Sequence, residues 1–373
     1  MTLATQEELG SFRAVVREVL AARLASPVQR WTTEPRSTFD RSLHLEAARL
    51  GWLGIEVPES LGGGGMGYEY VAVVLEELGK VCGGDPYAST ALVTGALVAC
   101  PNATLRSTWL PVLASGEKIA AAVLAGRFDH STSRVAATPV DGGWALSGVA
   151  PFTLDATEAD VFLVVAAAGE SPLVVLIERG ADGLEVRPTN VLDLSRSVGT
   201  VSFENVRVES GCVVASGKDA VHVVATVVDR AAVGVACDSL GIADRVLRMT
   251  VSYANERVQF GRPIGSFQAV KHQCSNMFVG VEGARAIVDE AVEAVSLANG
   301  KGVSGSMAKS YACNVAVAAT MTGVQLHGGI GYTWDQGLHL YMKRAVFNEG
   351  LYGDLRWHRH RVADLTIAAL RGS

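Results

Sequence analysis

The sequence contains no CxxC pair and no regular cysteine framework. Its six cysteines, Cys82, Cys100, Cys212, Cys237, Cys274 and Cys313, lie scattered. That excludes a zinc ribbon or a disulfide-stapled scaffold and leaves reduced core thiols. Positive charge is not in excess: net charge is −6 and the pI is near 5.8, which argues against nucleic acid as a partner. The N-terminus lacks a basic region followed by an apolar run and a cleavage site. No window is expected to be apolar enough for long enough to span a bilayer, so the expected location is cytoplasmic. Charged residues are 19% against 49% hydrophobic, the balance of an ordered chain with a large core. At 373 residues the chain has room for two or three domains or packed layers. A mean hydropathy of +0.26 is high for a soluble monomer, so part of the apolar surface is expected between subunits.

What is present is ordered in three stretches. Thr5-x-x-Glu8 ahead of Leu9 and Phe12 has the form of a capping box. Phe12 to Leu24 and Tyr68 to Val81 carry apolar residues at three- and four-residue intervals, so residues 1–118 read as helical. Loops fall at Pro58 to Gly65 and Gly83 to Pro86. Near residue 119 the pattern changes to short β-branched runs, among them Val161 to Val165 and Leu173 to Ile177. Gly199 to Val208 alternates with period two and closes a small β domain spanning 119–215. Helical periodicity returns over 216–373, and the Ala- and Val-rich run Ala232 to Tyr253 is expected inside a bundle.

The most distinctive stretch runs from Tyr253 to Gln268. A helical run ends at Arg257, a Phe260-Gly261 break follows, and Phe267-Gln268 opens the next helix. Further on, Gln325-Leu326-His327-Gly328-Gly329-Ile330-Gly331-Tyr332 places a Gln and a glycine pair at another helix-to-turn junction. In order and spacing these two segments resemble the flavin-binding segments of the acyl-CoA dehydrogenase family, and the succession of helices, strands and helices resembles it over nearly the whole chain. The resemblance implies a mostly α fold with a central antiparallel β domain between an N-terminal helical domain and a C-terminal four-helix bundle. It implies FAD, with Arg257 against the pyrophosphate and Phe260, Phe267 and Gln268 beside it. Gln325, Gly328 and Gly329 would reach the FAD of a neighbouring subunit. The chemistry is apt, because a pyrophosphate needs a fixed cation and backbone N–H donors that glycines leave accessible. Taken singly, Arg257 could equally complement a helix dipole and Gly328-Gly329 could pack helices.

The middle domain departs from the family's pattern. Ala125 to Ser133 stands in place of an acidic Pro-Gly-rich stretch ending in Ser-Asp. Gly148 to Leu154 stands in place of Gly-x-Lys-x-Trp-Ile-Thr. Phe152 keeps an aromatic plate for the flavin, while Leu154 sits where a hydroxyl would hydrogen-bond it.

The family's reaction needs a carboxylate to take the proton next to a thioester carbonyl. In most relatives this is a Glu before a Gly, shortly after an Arg-Asp-Ala helix end. Anchored on Ala345, that place holds Tyr352-Gly353. Glu349-Gly350 is nearby, but alignment on it requires a three-residue deletion, and it reads as a solvated loop acid. A minority of the family places the base just before an Arg at the start of the first C-terminal helix, where this chain has Asp229-Arg230. Apolar neighbours would raise the Asp229 pKa, with Arg230 supporting the site; Asp229 could also simply cap the helix. His358 and His360 lack further metal-ligand spacing and are expected on an exposed terminal helix, so no metal site is expected. Ser131 to Ser133 has no associated His-Asp pair. Gly62 to Gly65 follows Pro58-Glu59 as in the family's active-site loop, and no Lys-Ser/Thr makes it a phosphate loop.

Two readings follow. The chain is either the partner of a catalytic sister subunit in a heterotetramer, as in bacterial members that act on steroid side-chain thioesters, or a self-sufficient homo-oligomeric dehydrogenase with Asp229 as base. In both, an acyl-CoA is the substrate and an electron-transferring flavoprotein the implied acceptor.

Overall fold

The computed structural model describes residues 3–24, 41–124, 134–297 and 302–372. The stretch from Ala125 to Ser133 therefore lies outside the described residues. Helix α1 (Gln6–Arg23) opens on the capping box: the Thr5 hydroxyl accepts from the Glu8 N–H, and the Glu8 carboxylate accepts from the Thr5 N–H. It is followed by α2 (Arg41–Arg49), α3 (Tyr68–Lys80), α4 (Tyr87–Val98) and α5 (Ala103–Ala114). Val16 and Leu20 of α1 are buried. Arg13 beside them pairs with Glu76 at 2.6 Å and Glu77 at 3.0 Å, which fixes α1 on α3.

The strands are β1 (Ala120–Val123), β2 (Val135–Val140), β3 (Gly143–Leu154), β4 (Val161–Ala168), β5 (Ser171–Glu178), β6 (Leu184–Pro188), β7 (Val198–Glu209) and β8 (Val213–Ser216). They form one sheet in the order β6-β7-β3-β2-β4-β5-β8, with β1 on β4. Most pairings are antiparallel, as expected, and two parallel ones are added, because β1 and β2 each pair with β4 in parallel. The sequence of β1 suits that place: all four residues are buried, as in strands covered on both faces. The β3–β7 ladder breaks between Ala150 and Thr153. Phe152 sits in this bulge with φ +55, and its ring is 63% exposed.

The C-terminal part begins with the 40-residue α6 (Gly217–Glu256), about 60 Å long at 1.5 Å per residue. A short hairpin, β9 (Val258–Gln259) and β10 (Arg262–Pro263), leads to α7 (Gln268–Ser296), α8 (Val303–His327), α9 (Leu338–Gly350) and α10 (Leu355–Gly372). Helices α3 and α6 cross backbone to backbone. A Cβ on Gly79 would collide with the Asp238 carbonyl, and one on Gly241 with the Glu76 carbonyl, so only glycine permits this approach. Contrary to expectation, α6 is long and apolar enough by composition to cross a membrane. Yet 67% of its apolar window is buried inside the fold, as in the central helix of a bundle.

Candidate active site

All three parts of the chain border one narrow cleft of about 30 Å³. Tyr68 and Leu75 come from α3, Ala91 and Leu92 from α4, Leu154 from the end of β3, and Arg196 from the β6–β7 connection. Arg230, Gly234, Val235 and Asp238 come from α6, and Leu351 and Tyr352 from the turn after α9. Most of this lining is apolar, and the charged side chains within it are paired. Arg230 forms an ion pair with Glu56, its guanidinium 4.5 Å from the centre of the Tyr68 ring. There is room because position 95 is glycine, where a Cβ would meet the guanidinium.

Asp238 is the one carboxylate among the described residues bordering the cleft. It is held bidentately by Arg344 at 2.9 and 3.1 Å and accepts from the Asn348 amide at 2.6 Å. Burial opposes its charge, but Arg344 and Arg196 hold its carboxyl below the usual range. Behind the cleft, Asp155 accepts from Ser89 at 2.6 Å. Burial raises its pKa to about 6, against the pull of Arg196.

The two residues expected to carry catalysis face different ways, as neighbours about 100° apart on a helix must. Arg230 borders the cleft. Asp229 does not: its carboxylate lies 2.7 Å from Arg361 of α10, beside Gly302. Burial raises the Asp229 pKa, partly countered by Arg361, so the expected direction holds while the carboxylate points elsewhere. The capping alternative fails as well, because α6 begins at Gly217 and Asp229 lies within it.

Tyr352 occupies the turn in the left-handed region, with φ +54. Burial and the nearby Asp155 push its phenol well up, which suits a group that keeps its proton. His358 holds the turn from behind. It was expected to be exposed, but it is fully buried on the inner side of α10. Burial lowers its pKa to about 3, so the ring is neutral. Its Nε2–H donates to the Tyr352 carbonyl at 3.1 Å while Nδ1 accepts from Ser306 at 3.0 Å. Lys309, also fully buried, donates to the Asn348 and Glu349 carbonyls at 2.7 and 3.3 Å. Glu349 and Gly350 are the last residues of α9, helical rather than part of a solvated loop.

Of the residues expected to meet the flavin, those in the helical C-terminal part gather at one end of the bundle, while Phe152 sits in the β3 bulge. Arg257 caps α6, its N–H donating to the Tyr253 carbonyl, and its side chain is exposed. Phe260, at φ +53 and 92% exposed, lies edge-on to Phe267 with ring centres 6.1 Å apart. Phe267 caps α7, and Gln268 is its first residue. Tyr253 stacks on His327 at 4.2 Å, which brings the end of α8, with exposed Gln325, Gly328 and Gly329, against the end of α6. Sequence reasoning missed Glu56, Arg196, Asp238 and Asp155, since their partners are remote in the chain.

Fold and cleft together define a flavoprotein dehydrogenase of the acyl-CoA type. The model of the acyl-CoA dehydrogenase N-terminal domain matches residues 6–117 and that of the C-terminal domain residues 221–365. The acyl-CoA dehydrogenase IpdE2 of Mycolicibacterium smegmatis is 32% identical, over 94% of this chain and 97% of its own. Among solved structures, a steroid acyl-CoA dehydrogenase described as Tcur3481-Tcur3483 is 29% identical, with a TM-score of 0.88 over 98% of this chain and 99% of its own. The ChsE4-ChsE5 complex from Mycobacterium tuberculosis is 28% identical, with a TM-score of 0.87 over 98% of each chain. The chain belongs to the acyl-CoA dehydrogenase family, whose members are FAD-dependent oxidoreductases.

Proposed function

We propose that the chain is a flavin-binding subunit of a heteromeric acyl-CoA dehydrogenase, working beside a sister subunit that supplies the catalytic base. One observation carries this reading: the only carboxylate bordering the cleft among the described residues, Asp238, is fully engaged by Arg344 and Asn348. Tyr352 stands in the base's usual place. The self-sufficient alternative needs Asp229 in the cleft, and its pairing with Arg361 favours no such role. Two likenesses support the heteromer and its substrate: the ChsE4-ChsE5 structure is of a complex, and the Tcur3481-Tcur3483 structure is described as a steroid acyl-CoA dehydrogenase. The substrate we propose is accordingly a steroid side-chain CoA thioester.

The residues at the end of the bundle fit FAD. Arg257 makes no ion pair among the described residues. Gly328 has φ +65, and at Gly328 and Gly329 nothing lies within 4 Å of where a Cβ would stand, so a phosphate could approach the backbone closely here, although the Gly328 N–H itself donates to the Gln325 carbonyl. We assign Arg257, Phe260, Phe267 and Gln268 to one side of the cofactor, Gln325, Gly328 and Gly329 to a flavin shared across the interface, and Phe152 to its ring system. Bound FAD supplies a hydride acceptor for the β carbon of an acyl-CoA. The α proton goes to the sister's carboxylate, and the product is the trans-2-enoyl thioester. The exposed rings of Phe260 and Phe278 and the side chain of Met321 give the bundle an apolar surface that suits a subunit contact. An electron-transferring flavoprotein is the proposed acceptor, and the cytoplasm the proposed location.

The cofactor assignment is tested by producing Arg257→Ala together with the sister subunit and measuring FAD per complex. Loss of flavin from an assembled complex is expected; full occupancy would reject the assignment.

A further inference from the structure

Two helix junctions carry residues that we assign to the flavin: the end of α6 at Arg257, and the end of α8 from Gln325 to Gly329. At the first, the Arg257 backbone is held twice. Its N–H donates to the Tyr253 carbonyl and its carbonyl accepts from the Ile264 N–H, both at 2.8 Å. At the second, the turn after α8 folds back over His327. A Cβ on Gly331 would stand 2.6 Å from the Val324 carbonyl and 3.1 Å from the His327 Cβ, so only glycine lets the turn close this tightly. The two helices meet closely one turn before these ends. There a Cβ on Gly323 would lie 2.8 Å from a Val246 methyl and 3.1 Å from the Thr250 hydroxyl of α6.

Past that crossing, one side-chain pair joins the two junctions. The rings of Tyr253 and His327 stack with centres 4.2 Å apart and planes 18° from parallel, and the Tyr253 hydroxyl reaches the His327 carbonyl at 3.4 Å. The His327 Nδ1–H donates to the Gly323 carbonyl at 2.7 Å, which fixes the ring plane. Burial lowers its pKa, so the ring is neutral, and the residue is only 4% exposed. A neutral ring so enclosed supplies no charge to a phosphate and offers it almost no surface. Its place in the chain matters more. Arg257 lies four residues beyond Tyr253, and the glycine pair follows His327 directly. A cation and a backbone cradle that converge on one anion must keep a fixed spacing, because hydrogen bonds to a phosphate are lost when either shifts.

We propose that Tyr253 and His327 are positioning residues for the flavin: their stacked rings set the spacing between Arg257 and the Gly328-Gly329 turn, so that both meet one FAD. It is the contact of the two rings that does this, not the charge or the hydrogen bond of His327. The role rests on FAD meeting these junctions, as proposed above, and not on which subunit supplies the base.

The test is FAD affinity rather than turnover, on the FAD-loaded protein together with whatever partner it requires. Serial dilution releases flavin, and the fluorescence of the released FAD gives an apparent Kd. The proteins compared are the wild type, His327→Leu, Tyr253→Leu, His327→Phe, Tyr253→Phe, Arg257→Ala and the double variant Arg257→Ala/His327→Leu. Melting temperature at saturating FAD verifies that each is folded. Both leucine variants should weaken FAD about five- to tenfold, the increment of one aromatic pair. Both phenylalanine variants keep a ring and should stay within about twofold of the wild type. The double variant should lose at least about threefold less than the product of its two single losses, because a positioning residue acts through the group it positions. A purely structural role would lower the melting temperature of the leucine variants and leave their Kd unchanged, which would overturn the proposal. Phenylalanine variants as weak as the leucine ones, or single losses that multiply in the double variant, would overturn it too. A flavin that does not meet these junctions is common to all the proteins, so only the component that shifts is read. Full flavin retention by Arg257→Ala would remove the flavin assignment itself and this role with it. Loss in Arg257→Ala with none in the leucine variants would remove this role alone.

Discussion

Replacing Arg344 by Met should be the most damaging single substitution around the cleft. Arg344 is 1% exposed and joins three parts of the chain. It binds Asp238 of α6 through two N–H groups, the Ser195 hydroxyl and carbonyl at 2.7 and 3.2 Å, and the Gly83 carbonyl at 3.1 Å. Methionine has similar length and no donors. It strands Asp238 with only Arg196 at 3.5 Å and Asn348 for company, and breaking a buried pair in this way costs about 3–5 kcal/mol. Two carbonyls also lose a donor, about 1 kcal/mol each. At roughly 2 °C per kcal/mol for a chain of this size, the melting temperature should fall by about 10 °C. Thermal unfolding followed by circular dichroism and flavin release measures it. Adding Asp238→Asn removes the stranded charge and should recover about 2 kcal/mol or more. A loss below about 1 kcal/mol, or no recovery in the double variant, would refute the claim that this network ties the three parts together.

Asp229→Asn should leave flavin reduction in the assembled complex unchanged and cost about 1–3 kcal/mol of stability, because the pair with Arg361 that it breaks is mostly buried; abolished reduction would restore Asp229 as the base. Asp155→Asn should show a pH signature. The folded pKa of Asp155 is raised from 3.8 to about 6, so its stability is fully present below about pH 4 and is lost as pH rises through 6. The uncharged variant should therefore gain on the wild type by about 2–3 kcal/mol between pH 4 and pH 7 and no further above that. A pH-independent difference in melting temperature would contradict the buried placement of Asp155.

The helix junctions to which we assign the flavin were legible because their signals are local. Arg257, Phe260-Gly261 and Phe267-Gln268 sit where α6 ends and α7 begins, and an aromatic or glycine at a helix junction shows in the sequence itself. The cleft was not legible, for a physical reason. Its charges pair over long range, Glu56 with Arg230 and Asp238 with Arg344, and a buried ion pair leaves no periodicity in either segment. Asp229 illustrates the limit: apolar neighbours correctly pointed to a raised pKa, but which side of a long helix a residue faces depends on what packs there. The start of α6 was misplaced because Lys218, Asp219 and His222 are polar enough to pass for a connecting segment. His358 was misread in the opposite sense. It sits between Trp357 and Arg359 in a basic run, and its burial depends on Ser306 and Tyr352, which only the fold brings to it. The parallel strand pairs also escaped notice, since a short β-branched run does not reveal the direction of its partner.

The measurement that tests the central claim most directly is anaerobic titration of the FAD-loaded chain with acyl-CoA thioesters, first alone and then together with its sister subunit, following flavin absorbance. The account predicts that the chain alone does not bleach, because no free carboxylate among the described residues faces its cleft, and that the assembled complex does. Stoichiometric bleaching of the chain alone would contradict it and show that a base is present after all.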